Sequence, residues 1–246
     1  MSWFPASSLG TPPGVGRILS SLSPLAVFEL TGEVPVSPAP KETATTYKGR
    51  TIAAVMNAAG ADWLARAERE KIEQPEKLLD ALTIQEGMTV ADVGSGVGYF
   101  SLRLAKRVGS RGRVLASDIQ QEMLNLLKKN LDRDRISNVE PILGDANDPR
   151  LPAGEVDLAL LVDVYHEFQF PEQMIAGIWR ALKPDGRLVL VEYRGEDPTV
   201  PIKPEHKMTA KQVLFEIEPM GFRLKAKLEF LPWQHIFIFA KAEKPE

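Results

Sequence analysis

Four acidic residues recur through the middle of the chain, each just after a short apolar run: Asp92, Asp118, Asp145 and Asp163. Carboxylates gathered around one crevice repel a diphosphate and favour a nucleoside with a positive centre. Asp92 leads into Gly94-Ser95-Gly96-Val97-Gly98. Glycines there let the backbone take positive φ and approach a ligand closely, or they only shape a tight helix–strand contact. Asp118 lies 26 residues beyond Asp92, where a carboxylate accepts from two ribose hydroxyls or caps a strand. Asp145, in Gly144-Asp145-Ala146, can accept from an exocyclic purine amine or serve as a turn former.

A second group suits proton transfer. Asp163 is followed by Val164-Tyr165-His166-Glu167, and histidine exchanges a proton near neutral pH. His166, Glu167 and Tyr165 are therefore the candidate catalytic residues, with a polar link that fixes the loop as the competing account. His206 sits in the loop 200–209, stiffened by Pro201 and Pro204, ahead of a helix that Thr209 can cap. It is a candidate substrate contact, whereas His235 beside Trp233 suits packing. A metal held by His166, His206 and Asp163 matches no recognised ligand spacing, and none is expected. Arg66, Arg69, Glu70 and Glu73 share roughly one helix face. That face is either solvated and laced with ion pairs, or a lid in which Trp63 packs and Arg66 or Arg69 meets an anionic substrate. Arg194 is placed to meet an acceptor carboxylate or to pair with Glu196 or Asp197.

The elements that must position these groups follow from periodicity. Strand-like runs occupy 89–93, 113–118, 139–143, 156–162, 187–193, 224–230 and 235–240. Helical patterns cover 99–108, 121–131, 173–182 and 209–219. Strands alternating with helices imply a parallel sheet covered on both faces. Only 231–234 separate the last two strands, which is too short for a parallel crossover and forces a hairpin. Ahead of the sheet, 51–71 reads as helical with a break at Gly60, and 74–82 as a helix with Pro75 in its first turn. Residues 1–46, rich in Pro, Ser, Thr and Gly, read as an extended or flexible lead-in.

Composition narrows the classes. A net charge of -3 counts against holding nucleic acid by bulk electrostatics. The absence of cysteine removes thiolate nucleophiles and cysteine metal sites. No apolar run reaches transmembrane length, and a cytoplasmic protein is expected.

Asp92-Val93-Gly94-Ser95-Gly96-Val97-Gly98 resembles the first motif of class I S-adenosylmethionine-dependent methyltransferases. Asp118 matches their ribose-binding acid, Gly144-Asp145-Ala146 their adenine-side segment, and 182–188 the turn before their fifth strand. The resemblance covers about 78–240 and is nearest the small-molecule branch of ubiquinone/menaquinone-biosynthesis-like enzymes. It implies an α/β three-layer Rossmann-like sandwich with a seven-stranded mixed sheet, last strand antiparallel, plus N-terminal helices. The implied organisation is a lead-in over 1–46, a helical cap or lid over 47–77 and the cofactor domain over 78–246. S-adenosylmethionine is the implied cofactor. Asp92, Gly94, Ser95 and Gly96 would pass its methionine part, Asp118 hold its ribose, and Ile119 and Ala146 flank its adenine. Asp145 and Asp163 complete the expected cofactor set. The implied activity is methyl transfer to a small-molecule acceptor, with no nucleic-acid partner and an undetermined monomeric or dimeric state. A nicotinamide-dependent oxidoreductase is the rival, opposed by Asp92 and by spacing that departs from Gly-x-Gly-x-x-Gly. A non-catalytic cofactor-binding scaffold is the third reading.

Overall fold

The computed structural model describes residues 46–64, 66 and 68–242; the expected lead-in lies outside them except for Thr46. The strands are β1 (Thr46–Tyr47), β2 (Arg50–Thr51), β3 (Thr89–Val93), β4 (Arg113–Asp118), β5 (Val139–Leu143), β6 (Val156–Val162), β7 (Leu182–Arg194), β8 (Lys207–Met208), β9 (Phe222–Leu228) and β10 (Gln234–Lys241). The helices are α1 (Ala61–Leu64), α2 (Arg69–Ile72), α3 (Pro75–Ala81), α4 (Ser101–Val108), α5 (Gln121–Asp134), α6 (Pro171–Ala181) and α7 (Ala210–Ile217).

The main sheet runs β5-β4-β3-β6-β7-β10-β9, with the two-residue β8 beside the end of β7. β5, β4, β3, β6 and β7 are mutually parallel, and β10 is antiparallel to both β7 and β9. This is the expected seven-stranded mixed sheet, its last strand antiparallel. The central strands are apolar on both faces because both are covered. Their alternate residues feed two cores. Leu78, Leu104, Leu127 and Leu131 from α3, α4 and α5 cover Val90, Val114, Leu158 and Val189. Ile175, Ile178, Val213 and Ile217 from α6 and α7 cover Ala91, Leu115, Leu161 and Leu190. Among the described residues, no helix is long and apolar enough to cross a membrane.

Chain order reverses between β3 and β6, so the crevice beyond their carboxyl ends is where such sheets bind ligands. Every predicted strand forms, with ends moved by a few residues in β7, β9 and β10. β7 starts early, at Leu182. Its pairing with β6 jumps from Val156↔Leu182 to Leu158↔Arg187, so 183–186 loop outward beside Asp157. The helical pattern over 51–71 is only partly realised. Lys48 and Gly49 take φ of 45° and 89°, which closes the β1–β2 hairpin. Residues 52–57 then carry no regular secondary structure, and helix begins with a 3-10 turn at Ala58–Gly60, followed by α1 and α2. Tertiary hydrogen bonds from 52–57 to the crevice replace the helical ones.

Candidate functional site

The glycine turn leaves β3 with Gly94, Gly96 and Gly98 at φ of 74°, 52° and 87°. The Gly94 and Ser95 N–H groups both donate to the Ser117 carbonyl of β4, at 2.8 and 3.1 Å. A Cβ on Gly94 would lie 2.4 Å from Val164 Cγ2, so only glycine fits between the turn and the residue before Tyr165. Gly96 N–H donates to Asp118 Oδ2 (2.8 Å) and Gln120 N–H to Oδ1 (2.9 Å). Each carboxylate oxygen keeps a lone pair for a further donor. Burial holds the Asp118 carboxyl above its ordinary pKa despite these bonds.

Asp92 is buried at the end of β3 and accepts from Ser101 Oγ at 2.5 Å. Burial pushes its pKa up to about 6, against the opposing Ser101 hydrogen bond. Asp163 turns the chain out of β6 at φ 53°. Its Oδ2 accepts from Gln234 Nε2 at 2.8 Å, and its Oδ1 is buried without a protein partner. Burial, followed by the nearby Glu73 and Glu192 carboxylates, holds it well above the ordinary range. Ile119 and Leu143, at the ends of β4 and β5, are 41% and 43% exposed. Such bare apolar side chains beside a ribose-type carboxylate suit the flank of a base. Asp145 is exposed in a tight turn with Asp148 and pairs with Arg150 at 2.5 Å.

The turn after β6 carries Tyr165, His166 and Glu167. His166 is 2% exposed, with Nδ1 2.6 Å from Glu192 Oε2 and Nε2 3.1 Å from His206 Nδ1. Burial lowers the affinity of His166 for a proton, but Glu192 outweighs it and holds the pKa above the ordinary value. The same burial, with His166 as a cationic neighbour, takes His206 down to about 4. Burial lifts Glu167 to about 7, opposed by His166 and reinforced by Glu192. Glu192 Oε1 accepts from Tyr165 N–H at 3.0 Å, so one buried carboxylate fixes both the turn and the imidazole.

Tyr165 faces away from this cluster. Its hydroxyl donates to Glu216 Oε2 at 2.7 Å, and Arg50 grips the same carboxylate through Nε and Nη2 at 2.8 and 3.1 Å. Arg50 Nη1 and Ala53 N–H both donate to the His166 carbonyl. Gln120 Nε2 donates to the Met56 carbonyl at 2.8 Å. Residues 50–57 thus form a strap tied at one end to the histidine turn and at the other to the loop after Asp118.

The predicted substrate arginines are engaged internally. Arg69, 5% exposed, binds Glu73 through Nε at 2.5 Å, and Arg66 Nη2 reaches the same carboxylate at 2.8 Å. Tyr193 OH also donates to Glu73, at 3.0 Å. The Arg66 guanidinium lies 3.5 Å from the centre of the Trp63 ring. Arg194 donates to the Glu229, Leu231 and Gln234 carbonyls and pairs with Glu229, which ties it to the loop between β9 and β10. His235 bridges Glu229 and Glu196 through its two ring nitrogens, a polar link where packing was expected. The structure therefore brings His166, Glu167 and His206 together at the crevice, while Arg66, Arg69 and Arg194 hold the scaffold around it. Sequence reasoning missed Arg50, Glu192 and Glu216. Glu192 had a visible signal, a lone charge within the apolar run 188–193.

A reversed parallel sheet, a glycine turn at the reversal and a buried acid at the end of the next strand define the class I S-adenosylmethionine-dependent methyltransferase architecture. The chain belongs to the methyltransferase-domain family, whose model matches residues 84–233. A methyltransferase from Aquifex aeolicus described as S-adenosylmethionine-dependent superimposes with a TM-score of 0.72 at 28% identity, over 75% of this chain and 98% of that one. A ubiquinone/menaquinone biosynthesis C-methyltransferase from Idiomarina loihiensis is 28% identical over 116 residues, 47% of this chain and 46% of the relative. A 37.1 kDa protein of transposon Tn4556 from Streptomyces fradiae is 36% identical over 115 residues, 47% of this chain and 33% of the relative. The chain spans about half or less of the length of these curated relatives.

The residues present fit that cofactor. Asp118 retains acceptor capacity, Ser95 Oγ and Asp163 Oδ1 are buried polar atoms without protein partners, and Ile119 offers an apolar flank.

Proposed function

We propose that the protein transfers the methyl group of S-adenosylmethionine to a heteroatom of a small-molecule acceptor lodged beside His166 and Glu167. The carrying observation is the buried Glu192–His166–His206 relay at the end of β6, one strand from the glycine turn. The cofactor supplies an activated methyl on a sulfonium, so the protein's main tasks are alignment and exclusion of water. Asp118 holds the ribose, Ile119 and Ala146 border the base, and the acidic wall of Asp92 and Asp163 favours the cationic end. Glu192 fixes the ring of His166, whose Nε2 meets His206 Nδ1, so that the linked imidazoles orient the acceptor or take its proton. Glu167 borders the same space, and His206 contacts the acceptor. The strap over 50–57, with α1 and α2, forms the lid. The net charge of -3 supports a small-molecule acceptor over a nucleic acid, and we place the reaction in the cytoplasm.

Calorimetric titration with S-adenosylmethionine, S-adenosylhomocysteine and NAD tests the cofactor side. Micromolar binding of the first two without the third is expected, and NAD binding would restore the oxidoreductase reading. An acceptor screen with isotopically labelled methyl donor follows. His166→Ala should cut turnover at least 100-fold and leave the homocysteine form's affinity within about threefold. Unchanged turnover would remove His166 from the reaction.

A further inference from the structure

Nothing in the spacing of the three histidines points to a metal, yet the fold brings two of them to one carboxylate. His166 and Glu167 come from the turn after β6. His206 arrives 40 residues later, at the end of the 3-10 turn Pro204–His206 that feeds β8. One donor atom from each of His166, Glu167 and His206 falls within 4.8 Å of the other two. We propose that this cluster is a binding site for a divalent first-row transition metal of the zinc type, held by His166 Nε2, His206 Nδ1 and a Glu167 carboxylate oxygen.

Four observations support it. The two imidazole nitrogens are 3.1 Å apart, close to the roughly 3.3 Å between neighbouring nitrogens on a tetrahedral ion with bonds of about 2.0–2.1 Å. Glu167 Oε1 is 4.0 Å from His206 Nδ1, within reach of a small rotation of the carboxylate. Glu192 takes the Nδ1 side of His166 at 2.6 Å, which leaves Nε2 to bind. A carboxylate behind a ligating imidazole fixes its tautomer and raises its basicity. Finally the ligands are anchored: Glu192 is fully buried and also accepts from Tyr165 N–H, and the His166 carbonyl is held by Arg50 and Ala53. Asp163 is not part of the cluster, which comprises His166, Glu167 and His206.

Two histidines and one carboxylate favour zinc, iron(II), cobalt(II) or nickel(II) over magnesium or calcium. Three protein ligands leave a position open to water or to an acceptor heteroatom. In the metal-loaded protein Nε2 of His166 holds the ion and takes no proton, so the ion would replace it as the group that activates the acceptor. That last clause rests on the methyl-transfer reading; metal uptake does not.

The test uses the full chain, free of any histidine tag, stripped with a chelator and dialysed into metal-free buffer. Zinc is titrated calorimetrically without cofactor or acceptor, bound metal is counted by mass spectrometry, and cobalt(II) reports coordination through its visible absorption. One equivalent with a submicromolar Kd is expected, with a tetrahedral-type cobalt spectrum and a thermal midpoint that rises on loading. His166→Ala and His206→Ala should each abolish tight binding and the thermal shift, and Glu192→Gln should weaken it about 10–100-fold. Circular dichroism and S-adenosylhomocysteine titration of each variant show whether it is folded and whether the cofactor reading holds on its own. Binding weaker than about 100 µM, or binding that both folded histidine variants retain, would overturn the site and leave a His–His hydrogen bond in its place.

Discussion

Among single residues, Asp92 and Asp118 make different predictions because their surroundings differ. Asp118 is the acceptor of two backbone N–H groups and keeps room for ribose hydroxyls. Asp118→Asn removes the charge while preserving shape. Loss of a charge-assisted hydrogen bond costs about 1.5–3 kcal/mol, so S-adenosylhomocysteine should bind about 10–100-fold more weakly by calorimetry. Asp92 reports through pH. Its pKa of about 6 lies above the ordinary carboxylate value because burial disfavours the charge. A raised acid binds its proton more tightly when folded than when unfolded. Its contribution to stability is therefore complete below about pH 4 and is lost as pH rises through 6. A cationic ligand draws the opposite way, since it favours the ionised form. The affinity for S-adenosylmethionine should therefore rise by up to about tenfold per pH unit towards 6 and then level. Near pH 5.5, titrations in buffers of different ionisation enthalpy should reveal proton release on binding. Asp92→Asn should flatten both effects, and an unchanged profile in that variant would assign the titration elsewhere.

Between elements, the glycine turn and the histidine turn are in contact, and this was invisible in the sequence. Gly94 fits against Val164, the residue before Tyr165. Gly94→Ala places a Cβ 2.4 Å from Val164 Cγ2 on a backbone at φ 74°. The left-handed conformation costs about 1 kcal/mol in a residue with a Cβ, and overpacking typically adds about 1–3 kcal/mol. The melting temperature should fall by about 5–15 °C, and turnover should fall too, because relief pushes the turn that carries His166. Adding Val164→Ala removes the 2.4 Å overlap with Cγ2 but leaves the 3.0 Å approach to Cβ and the backbone strain, so it should recover part of the stability. No recovery would mean the cost lies wholly in the backbone. The strands themselves were legible because buried parallel strands leave unbroken apolar runs, and the 231–234 gap allowed only a hairpin. Asp92, Asp118 and the glycines were legible through their place at strand ends. The partners of the histidines were not. Glu192, Glu216 and Arg50 act across 26 to 166 residues of chain, distances at which periodicity carries no information. The pairing of Arg66 and Arg69 with Glu73 also depends on a buried position that a polar helix face does not advertise.

Considered as a whole, the unit from Ala44 to Glu246 separates its stability from its site. Both cores are built from 78 onwards, and neither draws a residue from the strap. Beyond the buried side chains of Ile52 and Ala53, what the strap supplies is polar and local. Arg50 neutralises buried Glu216 and holds the His166 carbonyl, Ala53 holds the same carbonyl and Met56 receives Gln120, while Lys48, just ahead of the strap, receives Gln212. Two chains, one starting at Ala44 and one at Ala58, isolate that contribution. The shorter chain should still fold cooperatively, since its sheet and helices keep every cluster residue. Leaving Glu216 buried without its cation costs about 3–5 kcal/mol, which for a domain of this size lowers the melting temperature by about 6–20 °C. Cofactor affinity should fall only about fivefold, the worth of one hydrogen bond near Asp118. Methyl transfer should fall much further, because the His166 turn loses two of the bonds that fix its carbonyl. Equal losses of affinity and turnover would make the strap part of the cofactor site. Turnover unchanged between the two chains would show that β7, through Glu192, positions the histidine by itself.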